Sequence, residues 1–133
     1  MRVILVVDDA PVIRRVAKRI IEDLGFKCIE AENGISALHS VKNFIPDAMI
    51  VDWDLVDMTG LEFINEFRKL KDSDRTKVFY CTSQIVVSEM TKAKRAGASE
   101  FLLKPFDREI LTKKIQDSGL LNIEDTQVSS LVG

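Results

Sequence analysis

The chain has 133 residues, 46% of them hydrophobic and 30% charged, which describes one ordinary globular domain with a real core. A net charge of −2 gives no reason to expect nucleic acid or an anionic membrane as the main partner. No apolar run approaches the roughly 18 residues of a membrane span. The start, with Asp8 reached early and no small-residue cleavage site, is not a signal peptide, so a cytoplasmic protein is expected. Cys28 and Cys81 stand far apart in strand-like contexts, which predicts buried free thiols.

Residues 2–7 form the first expected strand, an apolar run that ends in Asp8-Asp9. Pro11 suits the first turn of a helix with Asp9 or Ala10 near its cap. Ile13, Ala17, Ile20, Ile21 and Leu24 share one face of it, and Gly25 stops it. A short strand at 27–31 follows. Asn33-Gly34 resembles a hairpin turn, but Ile35, Leu38 and Val41 follow a helical period, so a helix over 34–43 is expected. Pro46-Asp47 opens the third strand. Its unbroken run Ala48-Met49-Ile50-Val51 reads as a strand buried on both faces, and it ends at Asp52.

After a loop at 53–59, Thr59 can cap a helix through residue 70, with Leu61, Phe63, Ile64 and Phe67 inward. Residues 71–76 read as a charged surface loop. The fourth strand, 77–81, ends at Thr82-Ser83; a helix over 86–96 stops at Gly97. The fifth strand, 99–103, ends at Lys104-Pro105, and Asp107 caps a last helix to residue 117. Strand and helix thus alternate five times, which predicts a parallel sheet covered by helices on both faces. Residues 118–133 have little helical period and are expected to be loosely ordered.

Ligands in open parallel sheets bind beyond the carboxyl ends of the strands. Here those ends carry Asp8, Asp9, Asp52, Thr82 and Lys104. If the first, third, fourth and fifth strands are neighbours, three carboxylates meet on one rim. At an effective dielectric near 20, a carboxylate pair about 4 Å apart costs roughly 4 kcal/mol. Lys104 can offset part of this, and a divalent cation more. An all-oxygen donor set suits Mg2+ (or Mn2+). A carboxylate held by such a cation and a lysine can act as a nucleophile toward a phosphoryl group, whose charged oxygens the cation, the Lys104 ammonium and the Thr82 hydroxyl would meet. Carboxylates are ionised at neutral pH, so no general base is needed, and His39 is expected at the surface or partly buried.

With these residues in view, the chain resembles the response-regulator receiver domain of bacterial two-component signalling. The matching features are Val7-Asp8-Asp9, Val51-Asp52 with Gly60 eight residues on, Cys81-Thr82-Ser83, and Gly97-Ala98-Ser99 leading to Lys104-Pro105-Phe106; they cover residues 2–117. The resemblance implies a three-layer, doubly wound (βα)5 fold of flavodoxin-like type, with strand order 2-1-3-4-5. It implies Asp52 as phosphoacceptor, Asp8 and Asp9 as metal-binding acids with Asp9 the direct ligand, and the Asp54 carbonyl completing the metal site. Thr82 and Phe101 match the switch pair, Lys104 matches the phosphate-contacting lysine, and the resemblance implies a cis Lys104-Pro105 bond. The phosphoryl donor would be a sensor histidine kinase or a His-phosphotransfer protein. A receiver of this kind is a signalling protein that promotes only its own phosphorylation and dephosphorylation.

Several positions depart from the family. Leu55-Val56 stands where Met-Pro is common, so the loop after Asp52 lacks its usual stiffener. Ser83 replaces an Ala and narrows access to Asp52. Asp54 and Gln84 occupy positions that tune how fast the phosphoryl group is lost. Phosphorylation would draw Thr82 toward the new charge, let Phe101 rotate inward, and bias the surface of the fourth helix, fifth strand and fifth helix. Lys92, Lys94, Arg95, Arg108, Lys113 and Lys114 make that surface basic, which suits an acidic protein partner or a symmetric dimer.

No helix-turn-helix fits in the short tail, so direct DNA binding is not expected. Single-domain regulator and receiver segment of a longer protein both remain open. A haloacid-dehalogenase-type phosphatase would need an acid where Ala10 stands. A module without phosphorylation is disfavoured because the site positions are filled, and a nucleotide or flavin site lacks a Gly-rich first loop.

Overall fold

The apolar runs decide which strands lie inside. The computed structural model describes residues 2–120. It contains β1 (Val3–Val7), α1 (Pro11–Asp23), β2 (Lys27–Ala31), α2 (Gly34–Val41), β3 (Ala48–Asp52), α3 (Gly60–Arg68), a 3-10 turn (Ser73–Arg75), β4 (Lys77–Thr82), α4 (Val87–Ala96), β5 (Glu100–Leu103) and α5 (Arg108–Asp117). The strands form one parallel sheet of order β2-β1-β3-β4-β5. The longest unbroken apolar runs occupy its three central positions. β2, whose sequence mixes charged and apolar residues, is an edge.

Alternate residues of each strand feed two cores, giving three layers. On one face Leu5, Val7, Met49, Val51, Val78 and Tyr80 pack with Ala37 and Val41 of α2, Phe63, Ile64 and Phe67 of α3, and Ala93 of α4. On the other, Ile4, Val6, Ile50, Phe79, Cys81 and Leu102 pack with Ala17, Ile20 and Ile21 of α1 and with Leu111 and Ile115 of α5. Both cysteines are buried and free, as expected, and burial pushes each thiol up to about 12. His39 is exposed.

The departures from expectation have local causes. β3 starts at Ala48 because Asp47 is used as a clamp: its Oδ2 accepts the Val3 N–H at 2.7 Å, while its own N–H donates to the Val3 carbonyl at 2.9 Å. Ile35 is exposed, contrary to its place in the expected apolar face. α2 instead turns Gly34, Ala37 and Val41 inward, because Met58 of the β3–α3 loop packs where a Gly34 side chain would stand.

Residues 71–76 are no simple surface loop. Ser73 and Thr76 are buried, and the Arg68 guanidinium reaches under the loop to the carbonyls of Ser73, Thr76 and Gly97. Ser118–Leu120 close α5: the Ser118 hydroxyl donates to the Ile115 carbonyl, and Leu120 packs on the α5-side core. Most of the expected loosely ordered tail, residues 121–133, lies outside the described residues. Among the described residues no helix is long and apolar enough to cross a membrane.

Candidate functional site

Strand register brings the acids together. Val7 pairs with Val51, which sets Asp8, the next residue of the chain, level with Asp52. Asp52 pairs with Cys81, and Thr82 with Leu103, so Lys104 follows directly on that rim. Carboxylate oxygens of Asp8, Asp9 and Asp52 all lie within 4.8 Å of one another; Asp8 and Asp52 are buried and Asp9 is exposed. The Lys104 ammonium sits between the two buried acids, 2.6 Å from Asp8 Oδ2 and 2.9 Å from Asp52 Oδ1. The Lys104-Pro105 bond is cis.

Asp8 is further held from below and beside. Its Oδ1 accepts the Ala10 N–H at 2.9 Å, at the start of α1, and its carbonyl accepts Arg14 Nη1 at 2.8 Å. Ala10 stands at the N-cap of α1 without a side-chain bond, so neither it nor Asp9 caps the helix through a side chain.

The electrostatics follow from this crowding. Burial raises the Asp52 carboxyl above the usual carboxylate range; contact with Lys104 opposes the rise, and Asp8 and Asp9 add to it. Burial disfavours the Lys104 ammonium, but the Asp8 and Asp52 carboxylates more than offset that, and its net shift is upward. The Lys104 ammonium, 2.9 Å from Asp52 Oδ1, is the cation that this buried oxygen meets among the described residues. Three carboxylates outnumber one ammonium. Clustered carboxylate oxygens with a single ammonium among them are the environment a hard divalent cation fits. Asp8, Asp9 and Asp52 are the side chains that would hold it.

Thr82 stands at the same strand ends, with its hydroxyl bonded locally. Side chains alternate along β4, so Cys81 shares the core on the α1 and α5 side while Thr82 follows Val78 and Tyr80 on the α4 side. Its hydroxyl donates to the Gln84 carbonyl at 3.0 Å and accepts the Gln84 N–H at 3.3 Å, closing a tight turn. Phe101, paired with Tyr80 in the sheet, is half-buried and packs edge-on against the Tyr80 ring at 6.3 Å. Ser83, Gln84 and Asp54 are exposed.

The basic surface is less basic than composition implies. Lys92 lies 3.8 Å from Glu89, Arg108 2.8 Å from Asp23, Lys113 3.8 Å from Asp117 and Lys114 3.9 Å from Glu100. Among the described residues only Lys94 and Arg95 of the six named cations have no acidic partner. This weakens the expectation of an acidic partner.

Sequence reasoning missed Arg14 and Asp57 at the rim, and Arg68 at the opposite rim of the sheet. Their chief partners are backbone groups, near in sequence for Arg14 and distant for Asp57, and a bond to a backbone group leaves no residue-type motif. Asp57 accepts the Gly34 and Ile35 N–H groups, each at 2.9 Å. The loop expected to lack a stiffener is therefore tied down by other means.

The response regulator receiver domain family matches residues 4–116, and the chain belongs to that family. It is a receiver domain of the chemotaxis-regulator-like type, with the order and site arrangement described above. It is 31% identical over 114 residues to the chemotaxis protein CheY of Pseudomonas aeruginosa, covering 85% of this chain and 92% of that one. It is 30% identical over 118 residues to the sensor histidine kinase CheAY of Helicobacter pylori, covering 87% of this chain but only 15% of that protein. The structure of the chemotaxis response regulator CheY4 of Vibrio cholerae superposes with a TM-score of 0.84 at 30% identity, covering 88% of this chain and 98% of that one. The response regulator TrrA of Thermotoga maritima, in complex with Mg2+-BeF, gives 0.75 at 32% identity, with 88% and 98% covered.

Proposed function

We propose that this receiver accepts a phosphoryl group on Asp52 and relays its presence to a protein partner through the α4–β5–α5 surface. The observation that carries the reading is the buried Asp52 carboxylate, level with Asp8 and in contact with Lys104. The donor is a phosphohistidine of a sensor kinase or a phosphotransfer protein. An Asp52 oxygen bonds to phosphorus as the phosphorus–nitrogen bond breaks, and the imidazole leaves with a proton from solvent. Lys104 already pairs with Asp52 and stays beside the transferring group to meet its charge. A bound Mg2+ (or Mn2+), held by Asp8, Asp9, Asp52 and the Asp54 carbonyl, would supply Lewis-acid charge neutralisation. The TrrA complex with Mg2+-BeF supports that choice of ion.

Thr82 exchanges its turn with Gln84 for a phosphoryl oxygen. That releases the start of α4, and Phe101 follows into the vacated space. Asp54 and Gln84, exposed at the rim, set how fast water removes the group; an altered decay rate in Asp54→Asn is the expected outcome. The protein acts in the cytoplasm, on a protein target and not on DNA.

Trp53 adjoins Asp52 and is 41% exposed, which makes it a natural reporter. Its fluorescence should change with Mg2+ and again with beryllofluoride, and Asp52→Asn should lose labelling by a small-molecule phosphodonor. A folded wild-type chain that answers neither addition removes the reading.

A further inference from the structure

The β3–α3 loop is a closed unit with its tip fastened to a different helix. At its base Asp54 and Thr59 form an antiparallel bridge, and Leu55 donates its N–H to the Met58 carbonyl at 3.1 Å. The Trp53 N–H donates to the Cys81 carbonyl at 2.8 Å, and the Gly60 N–H donates to the Trp53 carbonyl at 2.9 Å. Leu55 is buried in the core beside α2 and α3. Asp57 lies inside the turn closed by Leu55 and Met58. Its two carboxylate oxygens each take one N–H of the first residues of α2, Gly34 at Oδ1 and Ile35 at Oδ2. Those N–H groups have no partner within the helix, and the positive end of the helix dipole favours a carboxylate there.

Contact with α2 is close enough that a side chain at residue 34 would overlap Met58. Limited burial raises the Asp57 carboxyl, the Ile35 and Gly34 N–H groups lower it, and the net shift is downward, so the carboxylate is charged at neutral pH.

Residue 54, whose carbonyl is assigned above to the metal, sits at the base of this unit. Its place therefore depends on the clamp at the tip as well as on the bonds at the base. We propose that Asp57 is a positioning residue: by clamping the loop tip to the start of α2, it holds residue 54 in register with Asp8, Asp9 and Asp52 and so sets the affinity for the divalent cation. The clamp takes the part a loop proline would otherwise play, which accounts for the tolerance of Leu55-Val56. The proposal rests on the metal reading of the acidic cluster.

A control separates positioning from simple helix capping. Asn33 caps the same helix from within, its Oδ1 accepting the Ser36 N–H at 2.8 Å, and Asp57 is the group that joins this helix start to the loop. Asp57→Ala and Asn33→Ala in the full chain should lower stability by similar amounts. Mg2+ titrations followed by Trp53 fluorescence should then diverge: the midpoint rises about tenfold in Asp57→Ala, as expected when charge-assisted bonds that hold one ligand are lost, and moves less than twofold in Asn33→Ala. Asp57→Asn, which keeps one acceptor, should fall between wild type and Asp57→Ala. Equal midpoints in the two alanine variants, shifted or not, overturn the positioning role. A wild-type chain whose Trp53 ignores Mg2+ removes the metal reading and the proposal with it.

Discussion

Two loops border the acidic rim, and they are built in opposite ways. The β3–α3 loop is bridged at its base, anchored by buried Leu55 and clamped at its tip by Asp57. The β4–α4 loop is held by the Thr82 hydroxyl and its turn with Gln84, and it leads into a helix whose first residue follows an uncapped Val86. Ile85, Val86 and Val87 are all exposed there. At its far end the same helix is fastened: Gly97 takes the left-handed conformation, and Arg68 Nη2 donates to its carbonyl at 2.5 Å. One loop is thus suited to keep ligands in place, and the other to let one end of a helix move while the opposite end stays pinned. Local stability of this kind, unevenly distributed, is what a switching protein needs.

Gly60→Ala should break the rigid side most severely. A β-carbon there would stand 2.2 Å from the Asp52 carbonyl oxygen, a backbone atom of a buried strand that cannot step aside. A loss of about 3 kcal/mol in urea unfolding is expected. Leu55→Ala removes a buried anchor from the same loop and should cost about 2 kcal/mol by the same measurement. Either variant matching wild type would mean that the loop is less committed than its contacts suggest.

Asp52→Asn should act in the other direction. Burial lifts the Asp52 carboxyl, Lys104 opposes this, and the neighbouring acids add to the rise, so the ionised form works against folding. That penalty is absent below the unfolded-state value near 3.9 and fully present above the raised folded-state value. Without metal, the Asn variant should therefore melt a few degrees higher than wild type at pH 7, with the gain shrinking as pH falls through the raised folded-state value and gone below about 4. A gain that persists in acid would point to packing and not charge.

The loose side should be nearly silent in stability. Thr82→Ala is expected to cost less than about 1 kcal/mol, since it removes an exposed turn bond. The same variant should abolish the beryllofluoride response of amide exchange at residues 87–90. Val87→Ser, the smallest effect, should stay within about 0.5 kcal/mol. A large stability loss in either would erase the contrast between the loops.

Much of this contrast was hidden in the sequence, while the rim itself was legible. Apolar runs that end in Asp8, Asp52 and Lys104 state their own position, because a strand buried on both faces must surface where its apolar run stops. The caps at Thr59 and Asp107 were legible for the same local reason and are observed, accepting the Glu62 and Ile110 N–H groups. Ile35 was misplaced because in an eight-residue helix two apolar faces compete, and the Met58 contact from another loop selects between them. The six cations read as a basic face because their acidic neighbours, among them Asp23 and Glu100, come from other elements or other turns.

What the sequence determined by itself is the alternation of strands and helices and the identity of the charged groups at the strand ends. Both follow from short-range rules: the hydrophobic period, the capping residue and the point where an apolar run meets an acid. The tertiary structure alone decided that Asp8 lies level with Asp52, that Lys104 bridges them, that the Thr82 hydroxyl closes a turn with Gln84, and that Asp57 clamps a helix more than twenty residues earlier in the chain. Strand register and long-range bonds to backbone groups set these relations. A side chain whose partner is a backbone N–H or carbonyl carries no mark of that partner in its own sequence neighbourhood.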